Sequence, residues 1–337
     1  MLDSRRMLNG RAMRRAKQLA SAGMDAAGVL DRRLRRAADE GIWLIPTYHR
    51  IILDPREDPL RMGMCVSVET FERQLRYLAS DFDLLTLEEA VGRLEQGRRL
   101  PKRAASITFD DGYLDNLKVA APLLKQRGLR ATLFVATGAL GSPSGFWWDR
   151  VINSLLNGIG SGLDYSEVGC DGGRVILSSG NVPSVTRRVL AQLWRRPIEE
   201  VAQVVSLLSV RFGVEREYGP GVMSQTQLKE AEQLAFDLGV HTVRHPNLCL
   251  MSRSEVEEEV EQGTRDLEHL SGHRHMGFAA PGGYTPAFLA EQLVRQGFKY
   301  AVTTERGLNR EIDLLRLQRI GMPETTLSDL KRSLAFC

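Results

Sequence analysis

Two adjacent aspartates, Asp110 and Asp111, lie where a strand should give way to a helix. The apolar run at 104–107 predicts a buried strand, and residues 113–127, after Gly112, carry apolar side chains at helical spacing. In α/β folds, ligands usually bind at the carboxyl ends of strands. Because adjacent side chains leave a strand end in different directions, one carboxylate can face a metal while the other faces water or substrate. The alternative is a solvated turn, in which Asp and Gly are common.

A second polar stretch, His-Thr-Val-Arg-His-Pro at 241–246, places two histidines four residues apart. A helical pattern over 223–238 is expected to lead into it. One turn or a tight loop with this spacing aims both imidazoles at one point. Two His and one Asp form a common metal-ligand set that leaves a position open for water. A pair of surface histidines is the alternative, but the two stretches together are much more specific than either alone.

The order of the predicted elements indicates the fold. Strand-like apolar runs alternate with amphipathic helical patterns along 42–337, which favours an α/β fold with a parallel barrel. A Gly- and Ser-rich segment at about 142–221 lacks this alternation, and we interpret it as a mostly helical insertion after a barrel strand. Residues 1–41 form a separate, basic helical extension in this division of the chain.

Three motifs resemble those of the NodB-type polysaccharide deacetylases, a carbohydrate esterase family. Residues 108–112 (Thr-Phe-Asp-Asp-Gly) resemble the first motif, and residues 241–245 match the second, His-Ser/Thr-x-x-His. Residues 278–284 (Phe-Ala-Ala-Pro-Gly-Gly-Tyr) resemble the third, and the order along the chain agrees. The resemblance covers about 42–323 and implies a distorted (β/α) barrel of about seven strands, the NodB homology domain.

The resemblance also implies a role for each motif residue. Asp111, His241 and His245 would hold a divalent metal, for which Zn²⁺ is the best candidate and Co²⁺ or Ni²⁺ would bind similarly. Asp110 would act as the general base that takes a proton from water. The backbone N–H of Gly282 would stabilise the oxyanion.

The catalytic acid is implied by a further resemblance. Tyr48-His49 is similar to the N-terminal Tyr-His motif of a branch in which the barrel motifs are circularly rearranged, and that branch uses its His as the acid. The Leu-x-His motif of other members is absent, because no histidine follows His275. Many members have an Arg two residues before the third-motif Pro, where this chain has Ala279; Arg319 is a candidate to replace it in space.

Four residues are candidates for contact with substrate. Trp147 and Trp148 open the predicted insertion and could stack on sugar faces, although aromatic side chains are more often simply buried. Pro281 and Tyr284 belong to the third motif.

The expected function is a metal-dependent hydrolase that removes N-acetyl groups from amino sugars of a polysaccharide or its lipid-linked precursor. The alternatives are another deacylase, a deformylase or an O-acetyl esterase on the same scaffold, or a non-catalytic sugar-binding subunit of a polysaccharide synthesis complex.

The arginine-rich segment 1–41 bears on location. It is either a basic amphipathic segment on the anionic inner face of a membrane or a solvated extension that packs on the barrel. It has no uninterrupted apolar stretch of the kind found in signal peptides, so we expect a cytoplasmic protein. A peripheral position on the inner membrane face goes with the first of the two alternatives. Its partner would be an N-acetylated glycan or lipid-linked glycan. The net charge of +3 gives no indication of a nucleic-acid partner.

Overall fold

The computed structural model describes residues 17–25, 28–39, 41–54, 58, 60, 63–213, 219 and 221–337. The rest of the predicted extension 1–41, and residues 214–218 and 220 of the predicted insertion, therefore lie outside the described residues. The helices are α1 (17–25), α2 (Val29–Asp39), α3 (Val68–Asp81), α4 (Leu87–Glu95), α5 (Ala121–Gln126), α6 (Trp147–Asn157), α7 (Val182–Leu193), α8 (Ile198–Phe212), α9 (Gln225–Leu234), α10 (Arg253–Ser271), α11 (Leu289–Arg295) and α12 (Leu327–Ala335). The strands are β1 (Ile42–Leu44), β2 (Pro46–Tyr48), β3 (Arg50–Ile52), β4 (Cys65–Ser67), β5 (Asp83–Leu84), β6 (Arg103–Ala105), β7 (Thr108–Asp111), β8 (Ala131–Val135), β9 (Gly162–Asp164), β10 (Arg174–Ile176), β11 (Phe236–Val240), β12 (Gly277–Ala279), β13 (Tyr300–Arg306) and β14 (Leu317–Gly321).

Seven strands close into a parallel barrel in the order β11-β12-β13-β14-β2-β7-β8, with β8 pairing back to β11. Strands of such a sheet are covered on both faces and read as continuous apolar runs, as in β8, whose five residues are all buried. The expectation of a (β/α) barrel of about seven strands is confirmed.

Strand register brings the two polar motifs to one level of the barrel. Asp111 at the end of β7 lies opposite Val135 of β8, and Val135 lies opposite Val240 at the end of β11. His241 follows directly. Because all three strands are parallel, the aspartates and the histidines emerge at the same carboxyl end.

The expected helix over 223–238 is wrong at its C-terminal end. Helix α9 ends at Leu234, and strand β11 begins at Phe236. Pairing with β8 leaves no side-chain room at Gly239, where a Cβ would lie 2.5 Å from the Phe134 ring. Tertiary pairing therefore overrides the helical pattern that Leu228 and its neighbours begin.

The described part of the N-terminal extension packs on the last helix, α12. Leu30 is fully buried, and Lys331 forms ion pairs with Asp25 at 3.0 Å and Asp31 at 3.1 Å. The Arg33 guanidinium lies 4.2 Å from the centroid of the Phe336 ring. Docking on the barrel was one of the two interpretations of this segment, and membrane association stays a prediction. Among the described residues, no helix is long and apolar enough to cross a membrane.

The segment predicted as an insertion contributes α6, the β9–β10 hairpin, α7 and α8. These elements share a hydrophobic cluster that includes Leu155, Val189 and Val205. The two ends of the segment lie together, since Val222 N–H donates to the Ser142 carbonyl at 2.9 Å. Its status as a separate insertion stays a prediction.

The close contact between the two ends of this segment, at Ser142 and Gly221, gives a test of stability. Gly221 has a φ of +69°, and a Cβ there would lie 2.7 Å from the Ser142 carbonyl oxygen. Gly272 also has positive φ, but a Cβ there would meet nothing within 4 Å. We expect Gly272→Ala to lower the free energy of unfolding by about 1–2 kcal/mol, and Gly221→Ala to lower it by about 2 kcal/mol more. Urea unfolding measures the free energy of unfolding of both variants. Equal losses would show that the two ends of the segment are not close-packed at Gly221.

Candidate active site

Residues from both motifs meet in one cavity at the carboxyl end of the barrel. The cavity has a volume of about 300 Å³. Seven of the residues predicted to form the site line it: His49, Asp110, Asp111, Trp148, His241, His245 and Gly282. Three other predicted residues, Trp147, Pro281 and Tyr284, do not line it.

Asp111, His241 and His245 form a compact buried cluster. Asp111 Oδ1 lies 3.7 Å from His241 Nε2 and 3.4 Å from His245 Nε2. Neither carboxylate oxygen of Asp111 has a hydrogen-bond partner among the described residues. A buried carboxylate without hydrogen bonds is costly, and a cation held between these three ligand atoms would compensate it. The donor set therefore fits a divalent metal of the kind that His and Asp bind.

His241 is oriented and kept neutral for such a role. Its Nδ1 lies 2.7 Å from the carbonyl oxygen of Ala279, which can only accept a hydrogen bond, so Nδ1 carries the proton and Nε2 has the free lone pair. Burial, together with the neighbouring His245, lowers the pKa of His241 to about 4. Its imidazole is therefore neutral, as a metal ligand must be, at physiological pH.

Left-handed backbone occurs at the motif residues. Among described non-glycine residues, positive φ is found at Asp111 (77°), Thr242 (65°) and His245 (56°). Such conformations cost about 1–3 kcal/mol each and persist only where the surroundings hold them. The Thr242 hydroxyl accepts a hydrogen bond from His245 N–H at 3.2 Å, which stabilises the turn between the two histidines.

Glu259 on α10 holds the same loop from outside the cavity. Its Oε2 accepts hydrogen bonds from the backbone N–H groups of Val243 at 2.9 Å and Arg244 at 3.0 Å. Its Oε1 accepts from Arg244 Nε at 2.5 Å. Glu259 is 5% exposed, although the adjacent Glu257 and Glu258 are exposed. This contact could not be predicted from the sequence, because it depends on how α10 packs against the loop.

Arg319 of β14 binds the other aspartate. Its two terminal nitrogens donate to the two oxygens of Asp110, each at 2.7 Å, and both side chains are buried. Burial alone would raise the pKa of Asp110, but the charge and hydrogen bonds of Arg319 outweigh it and hold that pKa well below its usual value. Asp110 is therefore ionised at neutral pH. Arg319 occupies the spatial role that was considered for it from the sequence.

His49 reaches the cavity while its neighbour does not. His49 follows β2 and is half-buried, and its carbonyl accepts a hydrogen bond from Asn116 Nδ2 at 2.7 Å. Tyr48 packs inside, with its hydroxyl 3.0 Å from Gln74 Oε1 and its ring stacked on Phe109. The catalytic role of His49, and the rearranged branch that suggested it, stay predictions.

Aromatic rings form one wall of the cavity. Trp148 lies 4.6 Å from the His245 ring centroid and stacks on Phe146 at 4.4 Å. Trp194, which the sequence analysis did not single out, also lines the cavity, and its ring centroid is 5.6 Å from that of His245. Trp147 packs against Trp194 from outside. Contact between these rings and substrate stays a prediction.

The same wall includes other residues that the sequence analysis missed. Arg187 and Leu190 on α7, and Trp194 directly after its last residue, have the spacing of one helical face, and all three line the cavity. Helical periodicity could have grouped them. Nothing in the sequence indicated that this face meets the barrel mouth.

The contacts of Glu259 predict a loss of metal affinity when they are removed. Glu259→Ala frees the 241–245 loop from α10, and loss of such an outer contact typically costs 10- to 100-fold in metal affinity. Glu258→Ala is the control, because Glu258 is exposed on the same helix. Competition for zinc with a chromogenic chelator measures both. Unchanged affinity in a folded Glu259→Ala protein would contradict a positioning role.

The sequence of this chain is similar to those of known proteins. The family model described as "Polysaccharide deacetylase" matches residues 97–162 and 178–301. The YxkH protein of Bacillus subtilis (strain 168) is 25% identical over 181 residues, which cover 52% of this chain and 58% of YxkH. A poly-beta-1,6-N-acetyl-D-glucosamine N-deacetylase of Staphylococcus aureus (strain N315) is 38% identical over 80 residues, or 23% of this chain and 27% of that protein. The matched region thus spans only part of these curated relatives.

A solved structure agrees with the fold. The Streptococcus pyogenes deacetylase PplD, in complex with acetate, superposes with a TM-score of 0.58 and 20% identity. The superposition covers 87% of this chain and 98% of PplD. At this identity the likeness shows the fold alone.

Proposed function

Because the chain belongs to the polysaccharide deacetylase family, whose model matches more than half of it, we propose that it is a metal-dependent hydrolase. It removes N-acetyl groups from amino sugars of a polysaccharide or of its lipid-linked precursor. The observation that carries the proposal is the cavity itself, in which a buried, unsatisfied Asp111 beside two imidazoles adjoins a second aspartate that is held ionised. A sugar-binding subunit without catalysis would not need both.

Asp111, His241 and His245 would hold the metal, for which Zn²⁺ is the best candidate. When bound, such an ion polarises a carbonyl and lowers the pKa of water from 15.7 to about 7. The two histidines are pre-oriented for this by the hydrogen bond of His241 to Ala279 and by the turn that Thr242 stabilises.

Asp110 is the general base of the proposed mechanism. It is ionised and lines the same cavity, so it can take a proton from the attacking water. Arg319 fixes the carboxylate by two hydrogen bonds, and each carboxylate oxygen retains a further lone pair for the incoming proton. Positioned acid–base groups contribute about 10²–10⁴-fold in rate.

His49 and Gly282 complete the mechanism. Both line the cavity. The backbone N–H of Gly282 would donate to the oxyanion, and one such donor is worth about 10²–10³-fold. His49 would then give a proton to the sugar nitrogen as the C–N bond breaks, because an amine anion is too poor a leaving group to depart unprotonated.

Metal content and amine release together test the proposal. We expect purified protein to bind one zinc at the cluster and to release free amine from N-acetylglucosamine oligomers, with the activity lost on chelation. Asp110→Asn should lower kcat by about 10²–10⁴-fold with zinc still bound. Asp83→Asn, an exposed carboxylate outside the cavity, is the control.

Two outcomes would count against the proposal. Amine release that survives chelation would exclude a metal-dependent reaction. A protein that takes up no zinc would exclude the ligand assignment of Asp111, His241 and His245.

The role of His49 predicts different effects on two leaving groups. An alcohol leaves with less acid assistance than an amine, so His49→Ala should reduce deacetylation of an N-acetyl sugar far more, by about 10²-fold or greater, than hydrolysis of an acetyl ester. Tyr48→Phe is the control, because Tyr48 packs away from the cavity against Gln74. Parallel kcat measurements on both substrates give the ratio. Equal losses in His49→Ala would rule out the leaving-group role.

A further inference from the structure

Arg187 stands out among the charged groups that line the cavity. It lies on α7 at the cavity wall and is exposed, and its side chain has no ion-pair or hydrogen-bond partner among the described residues. The other charged lining groups are engaged, since Asp110 is bound by Arg319 and Asp111 faces the two imidazoles. Arg187 is therefore the cation of this wall that is free to meet a ligand.

The net charge of the site with a metal bound indicates which kind of ligand Arg187 meets. Asp110 and Asp111 supply two negative charges, and Arg319 and Arg187 supply two positive charges. A divalent metal on Asp111 would leave the site with net positive charge. A cavity of this kind attracts anions and raises their local concentration. A neutral acetamido sugar does not require such a charge.

The other residues of the wall and the size of the cavity limit what can be attached to the anion. Leu190, one helical turn from Arg187, lines the cavity together with Ile152 and Met64, so an apolar surface adjoins the guanidinium. With a volume of about 300 Å³, the cavity has room for little more than a sugar residue and a directly attached group. An anionic group that reaches Arg187 is therefore attached directly to the sugar that carries the acetamide.

We propose that Arg187 binds the phosphate of a glycosyl phosphate, so that the substrate is an N-acetylated amino sugar joined through its anomeric oxygen to a phosphate ester. This deepens the proposed function and depends on it for the reaction. Guanidinium groups bind phosphate oxygens by paired, charge-assisted hydrogen bonds. Both lipid-linked and nucleotide-linked sugars carry this phosphate, and the apolar side chains beside Arg187 favour the lipid-linked form.

Binding to zinc-loaded Asp110→Asn protein tests the inference without turnover. Isothermal titration calorimetry compares N-acetylglucosamine 1-phosphate with methyl N-acetylglucosaminide. We expect the phosphate to bind about 10- to 100-fold more tightly. Arg187→Gln should remove most of this preference, and Arg187→Lys should retain part of it because the charge remains. Arg195→Gln is the control, because Arg195 is exposed just beyond α7 and does not line the cavity.

The outcomes separate this inference from the proposed function. Equal affinity for the two ligands, or a preference that survives Arg187→Gln, would overturn the role of Arg187 even if the unmodified protein deacetylates neutral oligomers. A preference that depends on Arg187 would support it even if no amine is released, and the deacetylase proposal would then fall. A short-chain prenyl diphosphate ester and a uridine diphosphate ester of the sugar distinguish the two sources, and tighter binding of the prenyl ester is expected.

Discussion

The buried ion pair between Arg319 and Asp110 is the interaction on which the site depends. Arg319 also donates to the Thr303 carbonyl at 2.8 Å and to the Thr47 hydroxyl at 3.0 Å. It thereby joins four neighbouring strands, β13, β14, β2 and β7, inside the barrel. Either charge alone would be unpaired in the interior, which typically costs 3–5 kcal/mol. The arrangement that fixes the base is therefore also the one that allows the barrel to hold these charges.

The pair also separates the tasks of the two adjacent aspartates. Both oxygens of Asp110 accept hydrogen bonds from Arg319, whereas neither oxygen of Asp111 accepts a hydrogen bond from any described residue. The left-handed φ of Asp111 turns its side chain to the histidines instead. Two identical side chains in sequence thus acquire different roles, one held as a base and one free for a cation, because the backbone becomes left-handed at Asp111, the last residue of β7.

The polar motifs could be predicted from the sequence because each lies at the carboxyl end of a strand of a parallel sheet, and parallel strands bring their carboxyl ends to one edge. The meeting of Asp111 with His241 and His245 needs only that rule and the level register of β7, β8 and β11. The strand β11 itself was missed, since a single residue, Ala235, separates it from α9 and its side chains continue the apolar pattern of the helix.

Other contacts could not be predicted, because they depend on closure and on packing between distant segments. Arg319 reaches Asp110 across 209 positions only because β14 pairs with β2, which closes that side of the barrel. Glu259 lies in a run of acidic residues, and it is buried by the docking of α10 on the histidine loop. The sequence likewise could not show that the face of α7 that carries Arg187 lines the cavity at the mouth of the barrel.

Chemistry and recognition are supported by different parts of the chain. The acid–base and ligand residues lie on strand ends or on a loop clamped by Glu259, and rigid supports of this kind keep a site pre-organised. The wall that faces substrate comes from α6 and α7, which have their own hydrophobic cluster. Side chains on that wall can therefore change without disturbing the barrel. Selection for a different glycan would act on positions such as Arg187 and Leu190, whereas the left-handed turns at Asp111 and His245 restrict change at the chemical centre.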